Sequence, residues 1–180
     1  MEKINVNYPK MYYGFPVILI SFYDKNGGPN VTTLSSSYTL KDMVVLGFSS
    51  KGYAINQIKE VKDFVINIPD ASLVKDVNFC GRNSGFEVNK FESSNLTPVK
   101  SKVVNAPIID ECPIAIECTL TDVIERDYYD GVTNILANIK GRAIAKDYLD
   151  EEGQLKLMKI DNLIYIADGV NRGYRYMKSE

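Results

Sequence analysis

The sequence predicts a mainly β protein with short helices, built as an antiparallel barrel. Three observations lead to this class. Short apolar runs rich in β-branched and aromatic residues recur along the 180 residues, glycine-containing turns join neighbouring runs, and few segments have helical spacing of apolar residues. Strands joined by hairpins, with few helices between them, favour a closed antiparallel barrel over a doubly wound parallel sheet.

The first element is a hairpin. Residues 17–23, VILISFY, form a compact β-rich run that ends at a polar turn containing Asn26 and Gly27. Asn-Gly supplies the backbone conformations that tight hairpin turns need. We expect a return strand over residues 31–38 and, after a polar break at 41–42, a third strand over residues 44–48.

A short amphipathic helix follows the third strand. Ala54, Ile55, Ile58 and Val61 recur at helical spacing, and the apolar run at 64–68 predicts another strand directly afterwards.

The sequence predicts a second short helix after that strand. Asp70 is suited to cap it, Leu73 and Val77 supply its apolar face, and Gly81 is expected to end it. The segment CGRNSG at residues 80–85 is therefore expected to form a loop.

The second half of the chain is also mainly β. Apolar and polar residues alternate over 114–124 and again over 135–143, which is the period of strands with one buried face. Asp130 and Gly131 lie between these runs and predict a hairpin-like connection, which residues 126–130 can lengthen into a loop. With 45% hydrophobic residues and no internal repeat or low-complexity linker, residues 1–180 are expected to form a single domain.

Composition excludes several classes of function. The net charge is −2 and basic residues are dispersed, so we expect no nucleic-acid partner. The N-terminus has no signal-peptide pattern, and no apolar run approaches the roughly 20 residues needed to span a bilayer. We therefore expect a soluble cytoplasmic protein with no membrane partner.

The chain contains no histidine, which excludes Ser-His-Asp and Cys-His triads and histidine-based zinc sites. Its cysteines, Cys80, Cys112 and Cys118, include no CxxC pair, and we interpret them as reduced packing residues. The sequence therefore predicts neither a metal site nor a catalytic side chain. If the protein is an enzyme, a bound cofactor performs the chemistry while the protein positions it.

Three segments are rich in small hydroxyls or glycines and follow strand-like or helical runs: NVTTLSSSYT at 30–39, SSKG at 49–52 and CGRNSG at 80–85. Each segment taken alone is also typical of an ordinary structure. The first is typical of an exposed threonine-rich sheet face, the second of a helix-capping loop and the third of a turn with solvated cations. The serines at 35–37 fit an exposed sheet face poorly. Together the segments predict a site for a phosphorylated, planar ligand.

The order of these segments resembles the flavin reductase-like family, in its flavoredoxin-type branch of FMN-binding split barrels. The resemblance covers most of the chain. It rests on PVILISFYDKNGGPNVTTLSS from residue 16, SSKGYAINQI from 49, FVINIP from 64, NFCGRNSGFEVNKF from 78 and LTPVKSKVVNAPIIDECPIAIECTL from 96.

The resemblance implies a homodimer with FMN bound noncovalently near the subunit interface. Thr33, Ser35 and Ser36 would contact the ring edge or the ribityl chain. Many relatives have tryptophan or alanine where Ser36 stands, and some have histidine near Asn134.

The resemblance also implies a phosphate site at Ser49, Ser50 and Lys51, at the start of the first helix. Tyr53 and Asn56 would line the same pocket.

The last group implied by the resemblance is Cys80, Gly81, Ser84, Gly85 and Lys90. Backbone N–H groups and the lysine of this segment would complete the anion site.

The function expected from the resemblance is that of an FMN-dependent oxidoreductase, which moves electrons from a donor such as NADH or NADPH through FMN to an acceptor. Two alternatives stay open. One is a flavoredoxin-type electron-transfer protein reduced by a redox protein, and the other is a non-catalytic flavin-binding module.

Overall fold

The computed structural model describes residues 1–175, which form a mainly β fold with two short α-helices. The predicted class is confirmed. In chain order the elements are β1 (Tyr12–Pro16), β2 (Ile18–Tyr23), β3 (Pro29–Leu34), β4 (Ser37–Leu40), β5 (Met43–Ser49), α1 (Tyr53–Val61), β6 (Asp63–Ile68), α2 (Val74–Arg82), β7 (Pro98–Lys100), β8 (Pro107–Ile109), β9 (Ile114–Glu125), β10 (Val132–Ile144), β11 (Ile164–Ala167) and β12 (Arg172–Arg175).

Seven strands form one antiparallel sheet in the order β3-β2-β6-β9-β10-β5-β4. The two edge strands, β3 and β4, are consecutive in the chain and are separated only by Ser35 and Ser36. The sheet curls around a shared apolar core, so its edges approach each other at this two-residue passage, which we call the seam. A separate three-stranded sheet, β1-β11-β12, and a small β7-β8 hairpin complete the described fold.

Two clusters of buried side chains hold the sheet and helices together. Ile18, Ile20 and Phe22 of β2 join the cluster inside the barrel, where α1 also buries its apolar face. Leu19, on the opposite face of the same strand, joins a second cluster with Val77 of α2. Because successive side chains of a strand point to opposite faces, the continuous apolar run of β2 contributes side chains to both clusters.

The first hairpin is confirmed. Gly27 has a φ of 86°, and its N–H donates to the Asp24 carbonyl at 2.9 Å. The predicted return strand over 31–38 is wrong in extent, since β3 ends at Leu34 and a new strand begins at Ser37. Ser37 pairs with Leu46 of β5, so the predicted third strand neighbours β4 and β10 rather than β3. The chain must cross from one edge of the curled sheet to the other, and it does so at the seam.

The second helix is confirmed, but Gly81 does not end it. A short 3₁₀ turn, in which the Asp70 carboxylate accepts from the Ser72 N–H, leads into α2, which continues to Arg82. A Cβ built on Gly81 would lie 3.3 Å from the Cβ of Thr33, so the glycine permits close packing of α2 on β3. Consequently residues 80–82 form the last turn of the helix rather than a loop.

The long β9-β10 hairpin is confirmed. Its strands pair from Thr133 with Glu125 to Ile144 with Ile114, and Gly131 has a φ of 73° in the connection. A register shift occurs near Gly141, where the built Cβ would fall 2.2 Å from Glu117 Oε2.

Candidate functional site

A cavity of about 590 Å³ lies where the seam, the ends of β5 and α2, the start of β10 and the three-stranded sheet meet. This volume is within the range of small-molecule and cofactor sites. The cavity has a polar floor, an aromatic wall and a group of cations, which are described in turn.

The floor of the cavity consists of hydroxyl and amide side chains from the barrel: Thr33, Ser35, Ser36, Ser49 and Asn134. The seam supplies the first three because the sheet edges meet there. These side chains can donate and accept hydrogen bonds, which suits a ligand with several heteroatoms.

Gly47 keeps this floor open. Its N–H donates to the Ser36 carbonyl at 2.9 Å, which fixes the seam against β5. A Cβ built on Gly47 would lie 3.2 Å from Asn134 Oδ1 and 3.3 Å from Ser36 Cβ. The absence of a side chain therefore leaves Ser36 and Asn134 accessible from the cavity.

The Thr33 hydroxyl already has a structural partner. Its Oγ1 donates to the Val77 carbonyl of α2 at 2.6 Å. Because the proton is used there, the hydroxyl can offer a ligand only its acceptor capacity.

Cations surround the cavity without acidic neighbours. Lys10, Arg82 and Arg172 line it, and no carboxylate does so among the residues that the structure describes. The ion pairs in residues 1–175 are Lys59 with Glu125 and Arg142 with Asp42, so these three cations have no acidic partner there. The cavity is consequently electropositive and favours an anionic ligand.

Three tyrosines form the aromatic wall. Tyr165 of β11 lies between Tyr12 of β1 and Tyr174 of β12, with ring centroids 5.4 Å and 5.7 Å apart. Burial, together with neighbouring Tyr165, raises the pKa of Tyr174, whereas the positive charges of Arg172 and Arg82 act in the opposite direction. The phenol is therefore protonated at neutral pH, and the wall offers aromatic, apolar surface to an aromatic ligand.

The SSKG segment contributes partly to the cavity. Ser49 lines it, whereas Ser50 Oγ lies 2.8 Å from the Oγ1 of buried Thr133. Lys51 is exposed and is not part of the cavity lining. Helix α1 begins just beyond it, and its N-cap, Gly52, provides no side-chain hydrogen bond. The N–H groups of the first turn thus remain suited to an anion.

Tyr53 and Gly85 do not line the large cavity, although the resemblance implied that they belong to the cofactor site. They line a smaller cavity of about 230 Å³, where the Tyr53 hydroxyl donates to Asp24 Oδ2 at 3.0 Å. Burial and the bond to Asp24 raise the pKa of Tyr53. A Cβ on Gly85 would fall 2.4 Å from Tyr53 Cδ1, so this glycine lets the loop lie against the ring.

Asn56 and Ser84 also lie outside the lining of the large cavity. Asn56 is exposed on α1, and Ser84 Oγ accepts from the Phe86 N–H at 3.2 Å within its own loop.

Cys80 and Lys90 form a buried pair behind the cavity. The Lys90 ammonium donates to the Cys80 carbonyl at 2.9 Å and so satisfies one of the last carbonyls of α2. Burial lowers the pKa of Lys90 and raises the pKa of the Cys80 thiol to about 11. Of the last group implied by the resemblance, only Gly81 belongs to the cavity lining, whereas Cys80, Ser84, Gly85 and Lys90 do not.

Sequence reasoning missed the three-stranded sheet and the residues it brings to the cavity, including Tyr165, Arg172 and Tyr174. A signal was present. Asp168 and Gly169 lie between the runs IYIA and RGYR, and Asp-Gly between short β-rich runs is typical of a hairpin.

Within residues 1–175 no helix is both long and apolar enough to cross a membrane. The same part of the chain contains no cluster of three or more cysteine, aspartate or glutamate side chains that could hold a metal ion.

Comparison of the sequence with protein families identifies one match. The profile of the flavin reductase like domain matches residues 11–167. The uncharacterized protein YdfE of Bacillus subtilis is 31% identical over 132 residues, an alignment that covers 66% of this chain and 64% of YdfE. The chain thus spans less than two thirds of that relative.

Solved structures with the same fold include two flavoredoxins. The flavoredoxin of Desulfovibrio vulgaris (Miyazaki F) superimposes with a TM-score of 0.87 and 26% identity, covering 98% of this chain and 94% of its own. The flavoredoxin of Methanosarcina acetivorans gives a TM-score of 0.85 at 24% identity, with coverages of 100% and 94%.

Proposed function

Because the chain belongs to the flavin reductase-like family, we propose that it is an FMN-binding oxidoreductase that moves electrons from NADH or NADPH to an acceptor. The observation that carries the proposal is the composition of the large cavity, which combines a hydroxyl-rich floor, a tyrosine wall and cations without acidic partners in residues 1–175. The floor and the aromatic wall suit a planar cofactor with several heteroatoms, and an electropositive cavity favours one that carries a phosphate.

The described residues fit FMN. Ser35, Ser36 and Asn134 would face the polar edge of the isoalloxazine or the ribityl hydroxyls, and Gly47 leaves them room. The tyrosine wall would lie against the ring system.

The phosphate would bind at Ser49 and the first turn of α1. The N–H groups of that turn are free of a side-chain cap, and the ammonium of Lys51 is close in the chain. Helix N-termini favour anions through these N–H groups and the helix dipole.

FMN, when bound, supplies the redox chemistry, and the side chains described here bind and orient it. The polar floor holds the cofactor in one orientation, because several donors and acceptors must be satisfied together. The cations raise the affinity of the cavity for anionic ligands. With no histidine in the chain, we propose no protein side chain as the catalytic acid or base.

A second function is favoured by the similarity to the Desulfovibrio vulgaris flavoredoxin, which has 26% identity across nearly the whole chain. In that case the protein would receive electrons from a redox protein instead of a pyridine nucleotide. In either case we propose a single domain over residues 1–180 that acts in the cytoplasm as a homodimer.

The test is an anaerobic titration of the FMN-loaded protein with NADH and NADPH, followed at about 450 nm. Bleaching at stoichiometric nucleotide is the expected result. If FMN binds but neither nucleotide bleaches it, the electron-transfer function replaces the reductase. If neither FMN nor riboflavin binds, the proposed cofactor site is wrong.

A further inference from the structure

We propose that Arg82 and Arg172 recognise an anionic group on the substrate that exchanges electrons with the cofactor, so that the protein selects aromatic substrates carrying a carboxylate or a phosphate. This inference rests on the proposed function and extends it to the class of substrate.

Both arginines line the cavity beside the same tyrosine, Tyr174. No acidic side chain lines the cavity among residues 1–175. Arg172 begins β12 and Arg82 ends α2, and both line the large cavity with Tyr174. All three residues line one cavity, and the positive charges of both arginines act to lower the pKa of the Tyr174 phenol. An aromatic substrate on this wall would therefore meet two cations.

Most N–H donors of the two guanidinium groups have no partner in residues 1–175. Arg82 Nε donates to Asn78 Oδ1 at 3.1 Å, which orients the group and leaves its other N–H groups without a partner in residues 1–175. Arg172 forms neither a side-chain hydrogen bond nor an ion pair within the same residues. Planar, oriented guanidinium groups bind carboxylates and phosphates through paired hydrogen bonds.

In the proposed function the phosphate of the cofactor is assigned to other partners. These are Ser49 and the uncapped first turn of α1. Arg172 also lies outside the stretch that matches the family profile, residues 11–167.

The experiment compares two probes that differ in charge but little in shape, 4-hydroxybenzoate and 4-hydroxybenzamide. Each is titrated into the oxidised, FMN-loaded protein, and binding is measured by calorimetry and by perturbation of the flavin spectrum. The variants are Arg82→Met and Arg172→Met. Arg175→Met is the matched control, because Arg175 lies on the same strand and lines only the neighbouring cavity.

We expect the wild-type protein to bind the benzoate about 10-fold or more tightly than the benzamide, as a charge-assisted contact is worth about 1.5 to 3 kcal/mol. Each test variant should lose most of that preference while the benzamide affinity stays the same. Arg175→Met should retain it. Equal binding of the two probes to the wild-type protein, or an equal loss in the control, would overturn the proposal.

A parallel measurement compares the dissociation constants of FMN and riboflavin. We expect the ratio to be unchanged in Arg82→Met and Arg172→Met. If either variant weakens FMN but not riboflavin, the arginines hold the cofactor phosphate and the substrate proposal is wrong, although the proposed function stands. If neither flavin binds the wild-type protein, the proposed function itself fails.

Discussion

The backbone of Gly81 lies against the side chain of Thr33, so closely that a Cβ on the glycine would be 3.3 Å from the threonine Cβ. The same threonine donates its hydroxyl to the Val77 carbonyl one helical turn earlier, at 2.6 Å. These two contacts fix the end of α2 against the end of β3. They thereby set the position of Arg82, the next residue of the helix.

Thr33→Val should destabilise the protein by about 1 kcal/mol, because it removes the hydrogen bond to α2 with little change of volume. The measurement is the free energy of unfolding in urea. Thr32→Val is the control, since Thr32 lies on the same strand and makes no side-chain hydrogen bond in the described residues. Equal effects of the two substitutions would contradict a structural role for the Thr33 hydroxyl.

Gly141→Ala should be more damaging, by about 1 to 3 kcal/mol, because the new methyl group would overlap Glu117 Oε2 at 2.2 Å. Glu117 is only 3% exposed and has little space in which to move. Gly173→Ala is the matched control, as no heavy atom lies within 4 Å of a Cβ built there. Thermal or urea unfolding of the two variants decides the prediction, which fails if their stabilities are alike.

Lys51→Ala should weaken FMN binding by about 1 to 3 kcal/mol if the ammonium makes a charge-assisted contact to the phosphate. Riboflavin, which has no phosphate, should bind the variant as it binds the wild-type protein. Lys75→Ala removes an exposed lysine from α2 and is the charge-matched control. The measurement is quenching of flavin fluorescence, and an unchanged FMN dissociation constant would reject the contact.

The Cys80 thiol should make stability fall with rising pH above 9. Burial raises its pKa in the folded protein to about 11, from an ordinary value of 9.0. Between these values the unfolded chain releases the proton and the folded chain retains it, so this contribution to stability is complete below pH 9 and is lost towards pH 11. Its slope is at most about 1.4 kcal/mol per pH unit.

Cys80→Ala tests this prediction. The variant should lose stability less steeply than the wild-type protein between pH 9 and pH 11, whatever its stability at neutral pH. Parallel curves of unfolding free energy against pH would show that the thiol does not contribute.

Local patterns predicted the elements whose partners are near in sequence. The alternation in β9 and β10 and the glycine turn between them identify a hairpin without further information. The seam was not predictable in this way, because the break after Leu34 depends on β5 pairing with β10, about 90 residues downstream. Tertiary contact with Thr33 also overrode the tendency of Gly81 to end a helix.

The candidate site was predicted in part for the same reason. The hydroxyl-rich segment at 30–39 and Ser49 were recognisable as polar strand ends, and the structure brings Thr33, Ser35, Ser36 and Ser49 to one cavity. The sequence alone could not show whether Lys90 binds a phosphate or has a structural role, because only the fold shows that its ammonium reaches the Cys80 carbonyl. Arg172 enters the cavity through pairing of β11 with β12, and both strands are distant in sequence from the seam.

The seam between β3 and β4 has a kinetic consequence. A ligand resting on Ser35 and Ser36 touches the passage between both edges of the sheet, so it would have to leave before those edges could separate. If the contact with the ligand forms after the folding transition state, the ligand stabilises the folded protein but not the transition state. It then slows unfolding more than it speeds folding. We expect saturating FMN to lower the unfolding rate in stopped-flow denaturant jumps while the refolding rate stays nearly constant; an effect confined to refolding would contradict it.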